Sequence, residues 1–248
     1  IAFITGAGGE MEIKLQAQFA AGSPPEVFAS VFNQGLVDYA YNDMVVDLLP
    51  YIEVDKLDQS DYFQVALDTF TFGSRQFGLP RGGIPSCFFI NKDLFDEEGI
   101  PYPPTDWEDE SWTWDTMLEY ARALTKDTDG DGQTDQYGVV FGNINYNQFP
   151  MLWGADIFPA ESFQYGITRE HHFDEPEVIN ALQLGADLVW KEQVSPSPEM
   201  SQALSGLGPG GWFGTFLSGK IAMFGNLAAY NQPAEAKFNW SVAPFPRG

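Results

Sequence analysis

Residues 77–95 pass from a Pro/Gly-rich stretch into a short apolar segment and then into a helical pattern, and a proline-rich turn at residues 99–107 follows. This order is typical of a chain that leaves one domain and enters another. The sequence therefore predicts two lobes separated by a cleft. The predicted crossing lies at Arg81, Gly82 and Gly83, where a glycine pair allows unusual backbone angles.

Helical and strand patterns alternate along the rest of the chain. Helices are predicted at residues 10–21, 60–70, 92–98 and 113–124 and in a long segment opened by Pro176, and strands at 26–30, 86–90, 137–141, 220–224 and 240–244. Gly99 is predicted to end the helix at 92–98, and Thr113 is the predicted cap of the helix that follows. The predicted inward face of the long helix is Val178, Ile179, Leu182, Ala186, Val189 and Trp190. Such alternation predicts an α/β architecture with largely parallel sheets.

The strongly negative net charge of the chain argues against negatively charged binding partners. The chain carries 35 acidic and 12 basic residues in 248, a formal charge of −23. Nucleic acid and anionic lipid are bound through Lys and Arg, so neither is an expected partner. The lone Cys87 lies inside an apolar strand, which predicts a buried thiol.

An acidic loop between a predicted helix and a predicted strand carries the sharpest chemical pattern. Its acids recur at the spacing of a calcium-binding loop, and Gly132 permits the sharp turn. Gly138 stands where an EF-hand has a bidentate Glu. The pattern predicts a stabilising Ca²⁺ rather than a sensor, with a solvated acidic turn as the alternative. The predicted ligands are Asp127, Asp129, Asp131, Asp135 and, through its backbone carbonyl, Gln133.

Aromatic residues make up 15% of the chain. Several are predicted in loops or at element ends, where they suit the C–H faces of sugar rings: Phe32, Tyr102, Trp107, Trp112, Tyr146, Trp212 and Tyr230. Tyr146, among asparagines and a glutamine, is the best candidate for stacking. Packing is the alternative for each aromatic, and it is favoured for Trp107, Trp114, Trp190 and Trp240.

The sequence contains none of the common catalytic motifs that we considered. The sequence has no GxSxG elbow, no phosphate-binding GxxxxGK[ST] loop and no zinc-hydrolase HExxH. A glycosidase carboxylate pair remains open because the chain is rich in acids. A secreted glycoside hydrolase and a calcium-stabilised structural module therefore stay as alternative functions.

Several short motifs occur in a characteristic order, at residues 21–28, 47–52, 78–80, 89–95, 103–107, 216–223 and 242–246. In this order they resemble the extracellular solute-binding proteins of family 1, the sugar-binding components of bacterial ABC transporters, related to maltose-binding protein. The resemblance implies a two-lobed periplasmic-binding-protein-like fold that closes on its ligand by a hinge. The implied lobes are residues 1–84, residues 85–224, and a return into the first lobe at residues 225–248, with parts missing at both ends.

The same resemblance implies a function. It is the non-catalytic, high-affinity binding of a mono- or oligosaccharide by a monomer, for delivery to a membrane permease, without a cofactor. The implied location is extracellular or periplasmic, with a lipid anchor as one option. Amino acid, polyamine and oligopeptide ligands stay open. The implied ligand contacts are Ser30, Phe32, Asn33, Arg81, Gly82, Asn145, Tyr146, Trp212, Asn226 and Tyr230.

Overall fold

A computed structural model of the chain describes residues 9–29, 36–83, 85–142, 149–206, 213–227 and 232–248. The helices within them are α1 (Gly9–Ala20), α2 (Leu36–Tyr41), α3 (Leu49–Asp55), α4 (Gln64–Asp68), α5 (Lys92–Glu98), α6 (Trp114–Ala123), α7 (Ala160–Tyr165), α8 (Pro176–Trp190), α9 (Pro198–Ser205) and α10 (Gly214–Leu217). The strands are β1 (Thr71–Phe72), β2 (Arg75–Gln76), β3 (Ser86–Asn91), β4 (Tyr137–Phe141), β5 (Ile221–Leu227) and β6 (Trp240–Ala243). Short 3-10 turns lie at Pro150–Trp153 and Gln232–Glu235.

The chain divides into two compact units. The first comprises Ile1–Gly83 and Phe158–His171, and the second comprises Ile84–Ile157 and His172–Gly248. The first segment of this unit thus ends at the predicted crossing. Residues 225–248, which were predicted to return into the first lobe, group with the second unit instead, because β6 pairs with β3. The predicted lobe boundaries stay a prediction.

The first unit has a small core. Leu36, Ala40 and Phe77 are buried together, while Tyr51 and Val54 of α3 are 62% and 80% exposed. The β1–β2 hairpin is antiparallel. This unit therefore buries little apolar surface among its described residues.

Two predicted elements of the first unit differ from the structure. The helix predicted at 60–70 is only α4, because the Ser60 N–H donates to Asp58 Oδ1 (2.9 Å) in a turn that precedes it. Within the described part of the predicted strand, residues 26–29 form a bend and irregular backbone. Residues 26–29 are exposed apart from the half-buried Phe28, so no buried face holds a regular strand there.

The second unit contains a four-stranded mixed sheet in the order β4-β5-β3-β6. β4 and β5 are parallel, whereas β3 is antiparallel to both of its neighbours. The α/β class is confirmed, but the prediction of a largely parallel sheet is wrong for this sheet. The alternation of helices and strands does not specify which strands become neighbours, and β3 lies between two strands of the opposite direction.

The central strand β3 is buried on both faces. Phe88 and Ile90 belong to one core cluster, and Cys87 and Phe89 belong to another. This explains why the sequence of β3 is continuously apolar rather than alternating. The prediction of a buried Cys87 is confirmed, and burial raises the pKa of its thiol to about 11.

Helix α6 packs directly on β4. The predicted cap of this helix is confirmed, because Thr113 Oγ1 accepts a hydrogen bond from the Thr116 N–H (3.3 Å). At its other end the backbone of Ala121 lies so close to β4 that a Cβ atom on Gly138 would fall 2.0 Å from the Ala121 carbonyl oxygen. The contact of α6 with β4 thus requires a glycine at position 138.

The tryptophans are placed differently from the sequence-based prediction. Trp112, predicted in an exposed loop, is only 1% exposed. Packing was favoured for four others: Trp114 is buried as predicted, whereas Trp107, Trp190 and Trp240 are 54%, 68% and 40% exposed. Sequence neighbours do not reveal which ring faces a core, because that depends on segments far away in the chain.

Candidate functional site

Asn226 is a buried amide at one edge of the mixed sheet. It is 5% exposed and lies in β5, opposite Cys87 of β3. Next to it is Gly142, where a Cβ atom would fall 3.3 Å from Asn226 Nδ2 and 2.5 Å from the Phe224 ring. Because β4 and β5 are parallel, Asn226 and Gly142 both lie at the carboxyl ends of these strands. Ligands of open α/β sheets bind at this edge.

Arg81 and Gly82 belong to the first unit. Both are exposed, and among the described residues Arg81 has no carboxylate within ion-pair distance, so its donors are available to a ligand. A Cβ atom on Gly82 or Gly83 would meet open space, and neither glycine has a positive φ. The glycine pair therefore adopts backbone angles that other residues could adopt as well.

The other predicted ligand contacts lie outside the described residues. They are Ser30, Phe32, Asn33, Asn145, Tyr146, Trp212 and Tyr230. Arg81, Gly82 and Asn226 are the predicted contacts whose surroundings the structure describes. The assignment of all ten positions to ligand binding stays a prediction.

The acidic loop brings three carboxylates together. Oxygen atoms of Asp127, Asp129 and Asp135 all lie within 4.8 Å of one another. Asp127 accepts hydrogen bonds from the N–H groups of Gly130 and Gly132, both at 2.7 Å, so the loop wraps around its first carboxylate. Each carboxylate oxygen has a second lone pair, so these bonds are compatible with binding a cation.

The two other predicted ligands lie beside this group. Asp131 Oδ1 accepts a hydrogen bond from the Gln133 N–H (2.7 Å), and its Oδ2 accepts one from Gln133 Nε2 (3.1 Å). Asp131 is not among the three converging carboxylates. The donor set that the structure brings together is therefore smaller than the predicted one.

Thr128 was not predicted as part of this loop. Its hydroxyl and its N–H donate to Asp135 Oδ2 at 2.7 and 2.9 Å. These hydrogen bonds lower the pKa of Asp135 below its ordinary value, and the Lys220 ammonium, 4.0 Å away, adds to the shift. The sequence signal that could have predicted this contact is the hydroxyl residue directly after the first Asp of the loop.

Gly138 explains why the loop departs from the EF-hand pattern. The position corresponds to the bidentate Glu of an EF-hand, but here it lies in β4 against the backbone of Ala121. A side chain of any size is excluded there. Any further cation ligand must therefore come from water or from another part of the chain.

Among the residues that the structure describes, four carboxyl groups have clearly shifted pKa values. The pKa values of Asp58, Asp109, Asp135 and Glu199 all lie below the ordinary range, because neighbouring N–H and hydroxyl groups donate to the ionised form. A glycosidase needs the opposite, a carboxyl whose pKa is raised so that it can donate a proton. These four groups are unsuited to that role.

Solved structures match nearly the whole chain. The chain is 28% identical to the ABC substrate-binding protein Lmo0181 from Listeria monocytogenes in complex with cycloalternan, with a TM-score of 0.74 over 97% of this chain and 58% of that one. It is 16% identical to UgpB from Mycobacterium tuberculosis in complex with glycerophosphocholine (TM-score 0.72; 98% and 58% covered). It is 22% identical to the maltose/maltodextrin-binding domain MalE from Bdellovibrio bacteriovorus bound to maltotriose (TM-score 0.62; 96% and 55% covered).

These similarities define the class, the α/β fold of ABC substrate-binding proteins. The chain spans only 55% to 58% of the length of these three proteins. No curated protein matches it. The sequence model of the bacterial extracellular solute-binding proteins matches residues 1–248, and the chain belongs to this family. In the part of the chain that the structure describes, no helix has the length and apolarity needed to cross a bilayer.

Proposed function

We propose that the protein binds an extracellular mono- or oligosaccharide without transforming it and delivers it to the permease of an ABC transporter. The observation that carries this proposal is the 28% identity to Lmo0181, which was solved with cycloalternan, an oligosaccharide. The match of the family model to the whole chain supports the class of function.

In this proposal the ligand drives closure of two lobes. A saccharide that binds the closed form more tightly than the open form shifts the population towards the closed form. The exposed Arg81 supplies fixed donors to hydroxyl groups of the ligand. The closed monomer then presents itself to the permease on the outer side of the membrane. A lipid anchor at the cell surface fits this role.

Calorimetry on the complete protein tests the function. A panel of mono- and oligosaccharides is titrated, together with amino acids, polyamines, oligopeptides and glycerophosphocholine as competing ligand classes. We expect tight binding within the saccharide group only, without turnover of the bound sugar. Binding of a non-saccharide alone, or release of hydrolysed sugar, contradicts the proposal.

Replacing Arg81 by alanine should weaken saccharide binding about tenfold or more, because a hydrogen bond from a charged donor contributes about 1.5–3 kcal/mol. Titration of the variant with the preferred sugar measures the loss. Arg75→Ala is the matched control, because Arg75 is an exposed arginine of the same unit that lies over the Phe77 ring. Unchanged affinity in Arg81→Ala would remove Arg81 from the site while leaving the proposed function intact.

We further propose that the acidic loop binds a structural Ca²⁺. Asp127, Asp129 and Asp135 supply hard oxygen ligands from one turn, which is the donor chemistry that Ca²⁺ prefers. The absence of a twelfth-position Glu predicts an affinity in the weak range of extracellular calcium modules. When bound, the ion would neutralise charge in a strongly acidic chain and fix the connection between α6 and β4.

The calcium proposal predicts a shift in thermal stability. At about 10 mM Ca²⁺, roughly a hundredfold above a dissociation constant of 0.1 mM, the gain is about 2.7 kcal/mol, or about 5–10 °C in melting temperature relative to chelator. Asp127→Asn should abolish the shift. Asp109→Asn should keep it, because Asp109 lies in a different acidic turn, closed by Ser111. Identical wild-type melts in calcium and in chelator would refute the site.

A further inference from the structure

Residues 158–171 form a loop that leaves the second unit and returns to it. The chain on either side of this loop belongs to the second unit, whereas the loop itself packs with the first unit. Its two ends are joined, because the His172 N–H donates to the Ile157 carbonyl (2.9 Å) and the His172 ring Nδ1 donates to the Asp156 carbonyl (2.9 Å). Compact surface loops whose ends lie close together are frequently functional. We call residues 158–171 the crossing loop.

The base of the crossing loop is held more firmly than the loop itself. Ile157, at the base, is only 3% exposed. Within the loop, none of the residues whose side chains the structure describes is buried, and Tyr165 and Ile167 are 46% and 48% exposed. Segments with few buried contacts open locally at a low free energy, while the core around them stays folded. The crossing loop is therefore suited to detach without unfolding of the first unit.

Hydrogen bonds to the last turn of α7 attach the crossing loop to the first unit. The Gly73 N–H, in the turn between β1 and β2, donates to the Gln164 carbonyl (2.8 Å). The Tyr41 hydroxyl donates to the Tyr165 carbonyl (3.0 Å). Carbonyls in the last turn of a helix have no partner within the helix, so they are free to accept such bonds.

The crossing loop also makes a close backbone contact at Gly166. This glycine ends α7 in the left-handed conformation with φ of 69°. A Cβ atom there would fall 2.8 Å from Cε1 of Phe72 and 2.8 Å from Cγ2 of Val37. Phe72 in turn packs against the small core of the first unit. The loop thus docks at a defined place although it buries little surface.

We propose that the crossing loop is a clasp, which detaches from the first unit as a body while its base at Ile157 and His172 stays in the second unit. Because both ends of the loop continue into the second unit, its attachment restrains movement of that unit. The role of the clasp rests on the saccharide binding proposed above: the ligand-bound closed form keeps the loop attached, and detachment accompanies release. A ligand that favours the attached state shifts the population towards it.

Hydrogen exchange of the complete protein, resolved to single amides, tests this detachment. Gly73 is exposed, so protection of its N–H reports the bond to Gln164. The Phe77 N–H donates to the Phe70 carbonyl (2.9 Å) beside the small core and reports opening of the first unit. We expect Gly73 to be protected, but about tenfold or more less than Phe77. A saturating saccharide should raise the protection of Gly73 severalfold.

Replacing Gly166 by alanine should loosen the clasp. Gly154→Ala is the matched control, because Gly154 also ends a helical turn, with φ of 71°, and a Cβ atom there would meet open space. Both variants carry the strain of alanine at positive φ, so the difference between them reports the contact with Phe72 and Val37. We expect the protection of Gly73 to be about fivefold or more lower in Gly166→Ala than in the control, the lower end of the effect of overpacking.

Several results would overturn the clasp. An unprotected Gly73 N–H would show that the loop is not attached in solution, and protection equal to that of Phe77 would make the loop a fixed part of the first unit. Equal protection of Gly73 in Gly166→Ala and Gly154→Ala would contradict docking at Gly166. If a saccharide binds in calorimetry but leaves Gly73 unchanged, the link to the ligand is wrong. If no saccharide binds, the proposed function fails, and the comparison of Gly73 with Phe77 still decides whether the loop detaches.

Discussion

Replacing Gly138 by alanine should destabilise the second unit by about 3 kcal/mol or more, at the upper end of the cost of overpacking a core. The added Cβ atom would lie 2.0 Å from the carbonyl oxygen, 2.4 Å from the Cα atom and 2.5 Å from the carbonyl carbon of Ala121. All three are backbone atoms, so no side-chain rotation relieves the clash. Helix α6 would have to move away from β4, which carries Val139 into the main core. Valine at this position should prevent folding.

Thermal or urea unfolding followed by circular dichroism measures the effect. A loss of about 3 kcal/mol corresponds to a fall of about 6–12 °C in melting temperature for a domain of this size. Gly83→Ala is the matched control, since a Cβ atom there meets open space and the glycine has no positive φ. That change should leave stability within about 0.5 kcal/mol. Equal stability of the two alanine variants would show that α6 does not pack on β4 at this distance.

Replacing Trp112 by alanine should cost about 3–5 kcal/mol, the usual cost of removing a large buried aromatic side chain. The ring is 1% exposed and packs against Tyr120 with 5.7 Å between ring centroids. Its Nε1–H donates to the Pro244 carbonyl (3.0 Å), so the truncation also leaves that carbonyl without its partner. The backbone of Trp112 accepts a hydrogen bond from the Arg247 N–H (3.0 Å), which ties residues 244–247 to the second unit.

Trp107→Ala provides the comparison for Trp112→Ala. The two tryptophans lie in the same connection between α5 and α6, but Trp107 is 54% exposed. Its removal should change stability by no more than about 0.5 kcal/mol. Chemical unfolding of both variants decides between the two environments. If Trp107→Ala proved the more damaging change, the burial pattern of this connection would be wrong.

Local sequence signals predicted the elements that depend on local chemistry. Thr113 caps α6 as expected, and Gly99 ends α5 in the left-handed conformation with φ of 66°. The apolar run of β3 also lies where the sequence places it, with Cys87 buried inside. Capping, left-handed termination and a continuous apolar run involve residues a few positions apart. Such signals can be recognised without knowing what packs against the element.

The orientation of α8 could not be predicted in the same way. The sequence favoured Val178, Ile179, Leu182, Ala186, Val189 and Trp190 as inward residues. Val178 is buried as predicted, but the other buried residues of the helix are Ala181, Gly185 and Leu188. Because the helix is apolar over much of its circumference, its periodicity is compatible with more than one orientation. The orientation depends on Gly185, because this face of the helix approaches Phe149 so closely that a Cβ atom at position 185 would lie 3.1 Å from the ring. This close approach involves a residue far away in the sequence.

In the candidate site, too, some features follow from local sequence and others depend on contacts between distant segments. The spacing of the acidic loop predicted converging carboxylates, and Asp127, Asp129 and Asp135 do converge, because a short loop with glycines at positive φ brings its own side chains together. Asn226 and Gly142 are 84 positions apart in the numbering, and only the parallel pairing of β4 with β5 places them side by side.

The sequence by itself determined the α/β class, the family, most helix and strand positions and the acidic loop, because each of these depends on short-range patterns or on the order of motifs. The tertiary structure alone decided the mixed direction of the sheet, the burial of Trp112, the orientation of α8 and the need for glycine at position 138. Burial and strand pairing are properties of two segments in contact. Residue patterns within one segment cannot specify its partner.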